Sequence, residues 1–225
     1  MIQGIAYINL KHRIDRRDSI LSNIKKRGFD MNMVHRIEAS LNELCGHIGC
    51  GQSHVLALEL AIKNDWDSVL ILEDDFVFCQ TTEYINDILK KLEDIEWDVV
   101  LLADGHKNIV DSDHIFLKKI ISCTTTSGYI IRKHYYATLL ENFKKSVETM
   151  EIELTNHIKN CNDAGKPVSK LHYCSAIDKY WFSLQDKDTF YLCNPVLGNQ
   201  NSRLYSDNSC SIERQEHQRK KIEKK

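Results

Sequence analysis

Short unbroken apolar runs alternate with amphipathic stretches along this chain, and the most informative run is Val69–Leu72. It leads directly into Glu73, Asp74 and Asp75, after which Phe76, Val77 and Phe78 resume the apolar character. A strand buried on both faces reads as a continuous apolar run, whereas a half-buried strand alternates. The run therefore predicts a central strand of a parallel or mixed sheet, with three carboxylates at its carboxyl end. In open α/β sheets that edge is where ligands bind.

The same pattern predicts the other elements. Ile5–Leu10 is a first strand, and a charged turn from Lys11 to Asp18 follows it. A helix from about Asp18 puts Ile20, Leu21 and Ile24 on one side, with Gly28 as its stop. Met33–Ile37 is a short strand. Gly46, Gly49 and Gly51 mark a tight turn or a close backbone approach, and a helix over Val55–Ile62 ends at Asn64. Ser53 either caps that helix or offers a hydroxyl to a ligand, while His54 reads first as a structural histidine. Thr81 or Thr82 caps a helix carrying Tyr84, Ile85, Ile88, Leu89 and Leu92. Trp97–Ala103 is a second buried strand, ending at Asp104-Gly105-His106. Ile115–Ser122 is a weaker strand in a hairpin or edge position. A hydroxyl-rich turn, Thr124–Ser127, feeds a short strand at Tyr129–Ile131. Helices are predicted over His134–Phe143 and Val147–Ile158, a loop over Asn162–Lys170, a further helix over Ser175–Leu184 and a strand over Phe190–Cys193. No internal repeat is present. Strand, loop and helix in succession indicate an α/β protein.

Composition narrows the class. A length of 225 residues fits one large domain or two small ones. With 30 basic and 32 acidic side chains, the net charge of -2 gives no reason to expect broad nucleic-acid binding. The N-terminal segment lacks the basic leader and apolar core of a signal peptide, and no window reaches the length of a membrane span. The expectation is a cytoplasmic or otherwise intracellular protein. Eight dispersed cysteines without a C-x-x-C pair read as reduced thiols rather than a disulfide framework or a structural zinc site.

The candidate chemistry centres on the acidic cluster. Adjacent carboxylates repel unless a positive charge sits among them, and hard cations such as Mg²⁺ and Mn²⁺ prefer oxygen ligands. The bland alternative is a solvated acidic turn. Arg13, Arg16 and Arg17 follow the first strand, where guanidinium forks suit phosphate oxygens. Neither G-x-G-x-x-G nor the phosphate-loop lysine motif occurs.

These residues carry a resemblance. Ile8-Asn9-Leu10 followed by Arg13, Asp15, Arg16 and Arg17, then Gly46-His47-Ile48-Gly49-Cys50 with Ser53-His54, then Leu70-Ile71-Leu72-Glu73-Asp74-Asp75 form three ordered signatures, and Ser127-Gly128-Tyr129 is similar to a fourth. The chain resembles the family of lipooligosaccharide galactosyltransferases and procollagen galactosyltransferases, LPS glycosyltransferase family 25. The likeness runs from about residue 2 to about residue 210. It implies a GT-A fold, with a Rossmann-like, mostly parallel central sheet flanked by helices. It sets a domain over 1–212 and a polar tail over 213–225. The implied activity is inverting, Mn²⁺- or Mg²⁺-dependent transfer of a hexose, foremost galactose, from a UDP-sugar to a hydroxyl on a saccharide or hydroxylysine.

Carried onto this chain, the resemblance gives Glu73 and Asp75 as metal ligands. Asn9, Arg13 and Arg16 fall where the nucleotide lies, and Gly49, Cys50, Ser53 and His54 border the donor pocket. Asp74 is a ligand, a ribose contact or an orienting group. Ala176-Ile177-Asp178 and the stretch from Gln200 to Ser206-Asp207-Asn208 resemble later elements near the acceptor, and Pro195 stands alone where members often have more proline. Asp178 is the favoured catalytic base, with helix capping as its alternative and Asp207 and Asp104 as rivals. Two other classes share these residues: a metal-dependent nucleotidyltransferase, which would release pyrophosphate instead of UDP, and a non-catalytic binding protein on a transferase fold.

Overall fold

A computed structural model of the protein describes residues 2–171 and 174–201. The first part of the chain forms β1 (Gly4–Asn9), α1 (Ile14–Lys26), β2 (Val34–Glu38), α2 (Gly46–Lys63), β3 (Ser68–Glu73), β4 (Phe76–Phe78) and α3 (Thr82–Lys91). Then come β5 (Val99–Leu101), β6 (Lys107–Asp111), β7 (Leu117–Cys123), β8 (Gly128–Arg132) and α4 (Tyr136–Asp163). The last elements are α5 (Ile177–Tyr180), α6 (Phe182–Gln185), β9 (Phe190–Cys193) and β10 (Gly198–Gln200).

One eight-stranded sheet takes the order β2-β1-β3-β8-β5-β9-β7-β6, and β10 pairs with β4 beside it. The apolar run in β3 is central, as its composition demands. Val69 and Ile71 face one core with Ala57, Leu58, Ala61, Leu139 and Phe143 of α2 and α4. Leu70 and Leu72 face the other core with Ile20, Ile24, Ile85 and Ile88 of α1 and α3. The α/β class holds, but the sheet is mixed and not mostly parallel. β1 pairs in parallel with β2 and β3, and β5 with β9. β3–β8, β5–β8, β6–β7 and β7–β9 are antiparallel. An unbroken apolar run reports burial on both faces and carries no information about direction, which is why β8 escaped that expectation.

Helix boundaries differ for local reasons. α1 begins at Ile14, ahead of the expected Asp18, while Gly28 ends the helix with φ +76° as its position requires. α2 takes in the glycine-rich segment, so those glycines do not form a turn. A Cβ on Gly49 would meet the Ser40 carbonyl oxygen at 2.4 Å, and one on Gly51 would meet Val147 at 2.7 Å. Close approach is the reason for glycine at both places. The two helices expected between His134 and Ile158 are one continuous α4 of 28 residues. Ser175–Leu184 instead divides into the short helices α5 and α6. Thr81 does cap α3, accepting a hydrogen bond from the Tyr84 amide at 3.2 Å.

Among the described residues, the cysteines are free thiols, and no helix is long and apolar enough to cross a membrane. The 213–225 tail and Ser206-Asp207-Asn208 lie outside the described residues.

Candidate functional site

β1 and β3 run side by side, with Ile8 opposite Glu73, so Asn9 and the Glu73-Asp74-Asp75 turn emerge at one sheet edge. The first turn of α1 brings Arg16 over this edge. Its guanidinium donates to Asp74 Oδ1 at 2.7 Å and lies 3.7 Å from Asp75 Oδ2. Asn9 donates to the other Asp74 oxygen at 2.7 Å. Both oxygens of Asp74 are thus engaged by protein donors. Burial nevertheless lifts its carboxyl above the ordinary range, against the pull of Arg16 and Asn9.

Glu73 is gripped from its far side. Thr126 donates a hydroxyl to Glu73 Oε1 at 2.8 Å, and His54 Nε2 lies 3.4 Å from the same oxygen. The His54 ring is fully buried, and its Nδ1 meets the Tyr129 hydroxyl at 3.0 Å. Burial pushes the Glu73 carboxyl up, but the combined pull of His54, Thr126 and Arg16 holds it below its usual value. Asp75 is held differently. Burial and the Glu73 charge raise it to about 7, only partly offset by Arg16. Its buried Oδ1 has no hydrogen-bond partner among the described residues. A buried acceptor without a donor is costly, and a cation is one group that would relieve it.

The turn is fixed from below by Phe76. A Cβ on Gly128 would come within 2.5 Å of its ring, and one on Gly198 within 2.2 Å, so the ring fills a slot that only glycines leave open. Gly198→Ala is expected to destabilise the fold by about 1–3 kcal/mol through overpacking, read as a shifted urea midpoint. Adding Phe76→Leu should recover part of that loss; an unshifted midpoint for Gly198→Ala would show that the ring is not confined.

In front of the turn opens a cleft of about 1020 Å³. Arg16, Ser53, Glu73, Asp74, Asp75 and Asp178 line it. Asn9 and His54 lie beneath it, bonded to Asp74 and Glu73 respectively. Arg13 makes a two-pronged contact with Asp15, at 3.0 and 2.9 Å. Ser53 serves the fold. Its hydroxyl donates to the Gly49 carbonyl at 2.6 Å and accepts from the Ser40 amide at 2.9 Å, fastening the 39–45 loop to α2. Asp178 reaches across to accept from the Thr125 amide at 3.4 Å, and Thr125 holds a left-handed φ of +83° that a β-branched residue adopts only under strain. Among the rivals, Asp104 pairs with Lys107 outside the cleft lining.

Sequence reasoning placed Cys50 at the border of the donor pocket but passed over Thr125 and Thr126 as site residues. Cys50 Sγ, a His54 ring nitrogen and a Glu73 oxygen all lie within 4.8 Å of one another, a candidate metal-coordinating cluster. Burial, then the charges of Glu73, Asp178 and Asp75, push the Cys50 thiol well above its ordinary range despite a bond from Thr126. The hydroxyl-rich turn before β8 was the available signal for Thr125 and Thr126.

The family emerges from this sheet edge and its signatures. The chain belongs to glycosyltransferase family 25 (LPS biosynthesis protein), whose sequence model matches residues 38–155, just over half of its length. No curated protein matches it significantly. Distant likenesses to solved structures include A197 from STIV, at 13% identity, TM-score 0.48, and 85% and 81% coverage of this chain and that one. A glycosyltransferase involved in the glycosylation of the major capsid of PBCV-1 matches at 13% identity, TM-score 0.45, and coverages of 97% and 100%. Mannose-1-phosphate geranyltransferase from Thermus thermophilus matches at 11% identity, TM-score 0.46, and coverages of 85% and 73%.

Proposed function

We propose that this protein is a divalent-cation-dependent, inverting glycosyltransferase of GT-A type, with residues 1–212 as its transferase domain. It moves a hexose, foremost galactose, from a UDP-sugar to a hydroxyl of a saccharide or hydroxylysine acceptor. The observation that carries this reading is the buried, unpartnered Oδ1 of Asp75 beside Glu73, at the mouth of a cleft large enough for a nucleotide sugar.

The oxygen donors present fit a hard cation, with Asp75 and Glu73 as its protein ligands. When bound, Mn²⁺ or Mg²⁺ supplies Lewis-acid stabilisation of the charge that develops on the departing diphosphate. Glu73 also belongs to the Cys50–His54 cluster, but both His54 ring nitrogens already face partners. His54 therefore acts on Glu73 as a positioning group. Asp74 orients the turn through Asn9 and Arg16, and Arg16 places a positive charge beside the region where diphosphate would lie. Asp178, on the opposite wall, takes the proton of the acceptor hydroxyl as it attacks the anomeric carbon.

The test is a titration of the pure protein with UDP-, GDP- and CMP-sugars, with and without Mn²⁺, against saccharide and hydroxylysine acceptors. Cation-dependent release of UDP with transfer of the sugar is expected. Release of pyrophosphate would make the protein a nucleotidyltransferase, and no turnover with any donor would favour a binding role. Asp178→Asn should bind the UDP-sugar normally while kcat falls about a hundredfold or more. Weakened donor binding with normal kcat would remove Asp178 from the base role.

A further inference from the structure

α2 carries Cys50 and His54 four residues apart, so both side chains leave the same face of the helix. That face meets the end of β3. A Cys50 sulfur, a His54 ring nitrogen and a Glu73 oxygen lie within 4.8 Å of one another there. The set mixes a thiol, an imidazole and a carboxylate, a donor chemistry unlike the all-oxygen pair of Glu73 and Asp75. Thiolate and imidazole suit Zn²⁺, whereas Mg²⁺ and Mn²⁺ favour oxygen.

We propose that Cys50, His54 and Glu73 form a second cation site, selective for Zn²⁺, whose occupation shuts out the hard cation at the acidic turn. Spacing supports it. A tetrahedral ion holds its ligand atoms roughly 3.3–3.7 Å apart when Zn–N and Zn–O are about 2.0–2.2 Å and Zn–S about 2.3 Å. His54 Nε2 and Glu73 Oε1 are 3.4 Å apart, long for a hydrogen bond but already at that spacing. Cys50 is half-buried and lines the cleft, so its sulfur closes the remaining gap from the open side.

Orientation supports it too. His54 is fully buried, and the Tyr129 hydroxyl lies 3.0 Å from its Nδ1. A ligating histidine needs such a partner on its other nitrogen. With the ring proton on Nδ1, Nε2 turns its lone pair towards Glu73. Thr126 donates to Glu73 Oε1 at 2.8 Å and fixes the third ligand. Cys50 and Glu73 both line the cleft, which leaves a fourth position open to water. Zn²⁺ binds the thiolate, and the Cys50 proton is released to solvent. Glu73 is common to both sites, so one cation displaces the other. The zinc site stands on its own geometry, while its inhibition of catalysis rests on the transferase reading.

The experiment titrates the full-length reduced protein, stripped of metal, with Co²⁺, whose absorption spectrum reports thiolate ligation and four-coordination. A sulfur-to-cobalt charge-transfer band and strong visible bands are expected, both bleached by stoichiometric Zn²⁺. Cys50→Ser should lose the charge-transfer band and bind Zn²⁺ about a hundredfold or more weakly. In the parent, Zn²⁺ should shield Cys50 from iodoacetamide and leave exposed Cys79 reactive, a readout that does not depend on a variant folding. Asp75→Ala should lose Mn²⁺ binding and keep the cobalt spectrum. Zn²⁺-loaded parent should no longer bind Mn²⁺, as read by electron paramagnetic resonance of the free ion. The proposal is overturned by a cobalt spectrum without a thiolate band, by equal alkylation of Cys50 with and without Zn²⁺, or by undiminished Mn²⁺ binding to the zinc-loaded protein. A thiolate–cobalt band with no sugar transfer from any donor would remove the transferase reading and uphold the zinc site. Mn²⁺-dependent transfer without that band would remove the zinc site alone.

Discussion

Replacing Asp75 with alanine is expected to abolish cation-stimulated sugar transfer, a loss of about a thousandfold or more, while leaving the fold intact. The effect should be this large because, in the proposed ligand set, the other carboxylate is Glu73, and that group is already shared with Thr126 and His54. Asp74 cannot substitute, since Asn9 and Arg16 occupy its oxygens. Full cation-dependent activity in the variant would remove the metal role from this turn. The pH dependence follows from Asp75 being held at about 7. Below that value a cation must displace a proton, so affinity should fall about tenfold per pH unit as pH drops and level off above it; calorimetric titration with Mn²⁺ alone reads this slope. Folding has the opposite sign. The folded-state carboxyl is raised above its unfolded value, so stability is lost as pH rises from the ordinary carboxylate range up to about 7, where the loss is complete. Asp75→Asn should therefore melt above the parent when both are free of cations, by a margin that grows as pH rises from the ordinary carboxylate range to about 7 and is constant above it. A margin independent of pH would show that Asp75 ionises without strain.

The second large effect is on stability. Arg16→Ala should cost about 3–5 kcal/mol, because it strips the cation from a buried pair and leaves three neighbouring carboxylates facing one another. The side chains of Arg16 and Asp74 are 9% and 7% exposed, which places the pair among buried ion pairs and not among the weak surface ones. For a chain of this size the Tm should fall on the order of 10 °C. Asp74→Asn added to Arg16→Ala should recover part of the loss, and the double-mutant cycle isolates the coupling. A loss below about 1 kcal/mol for Arg16→Ala would mean that water screens the acidic turn.

How much of this was legible in the chain depends on what each residue reports. Val69–Leu72 and Trp97–Ala103 announced β3 and β5 because both faces of those strands are covered. β6 left no such trace, since its residues Lys107 to Asp111 are mostly exposed and have no core to pattern them. The start of α2 was hidden because glycine at positions 49 and 51 reads as a turn, while its real purpose is to admit Ser40 and Val147. At the site, Glu73, Asp74 and Asp75 stood out through adjacency in sequence. Cys50, Thr126 and Asp178 meet them only through the packing of α2, β8 and α5, a relation that spacing does not express. Arg13 had the residue type and position for phosphate, and Asp15 two residues on pairs with its guanidinium.

The reversed strand β8 has one more implication. Strands running with β3 present to the cleft the residues that follow them, whereas β8 presents the residues that precede it: Gly128 sits level with Leu72, and the Glu73 amide bonds to the Ser127 carbonyl at 2.8 Å. An insertion in Thr124–Thr126 would thus alter the reaction chamber directly. One at Lys133–Tyr135, equally close to the same strand, would emerge at its opposite end and leave the chamber untouched. Loop grafting intended to change which acceptor is admitted belongs upstream of β8.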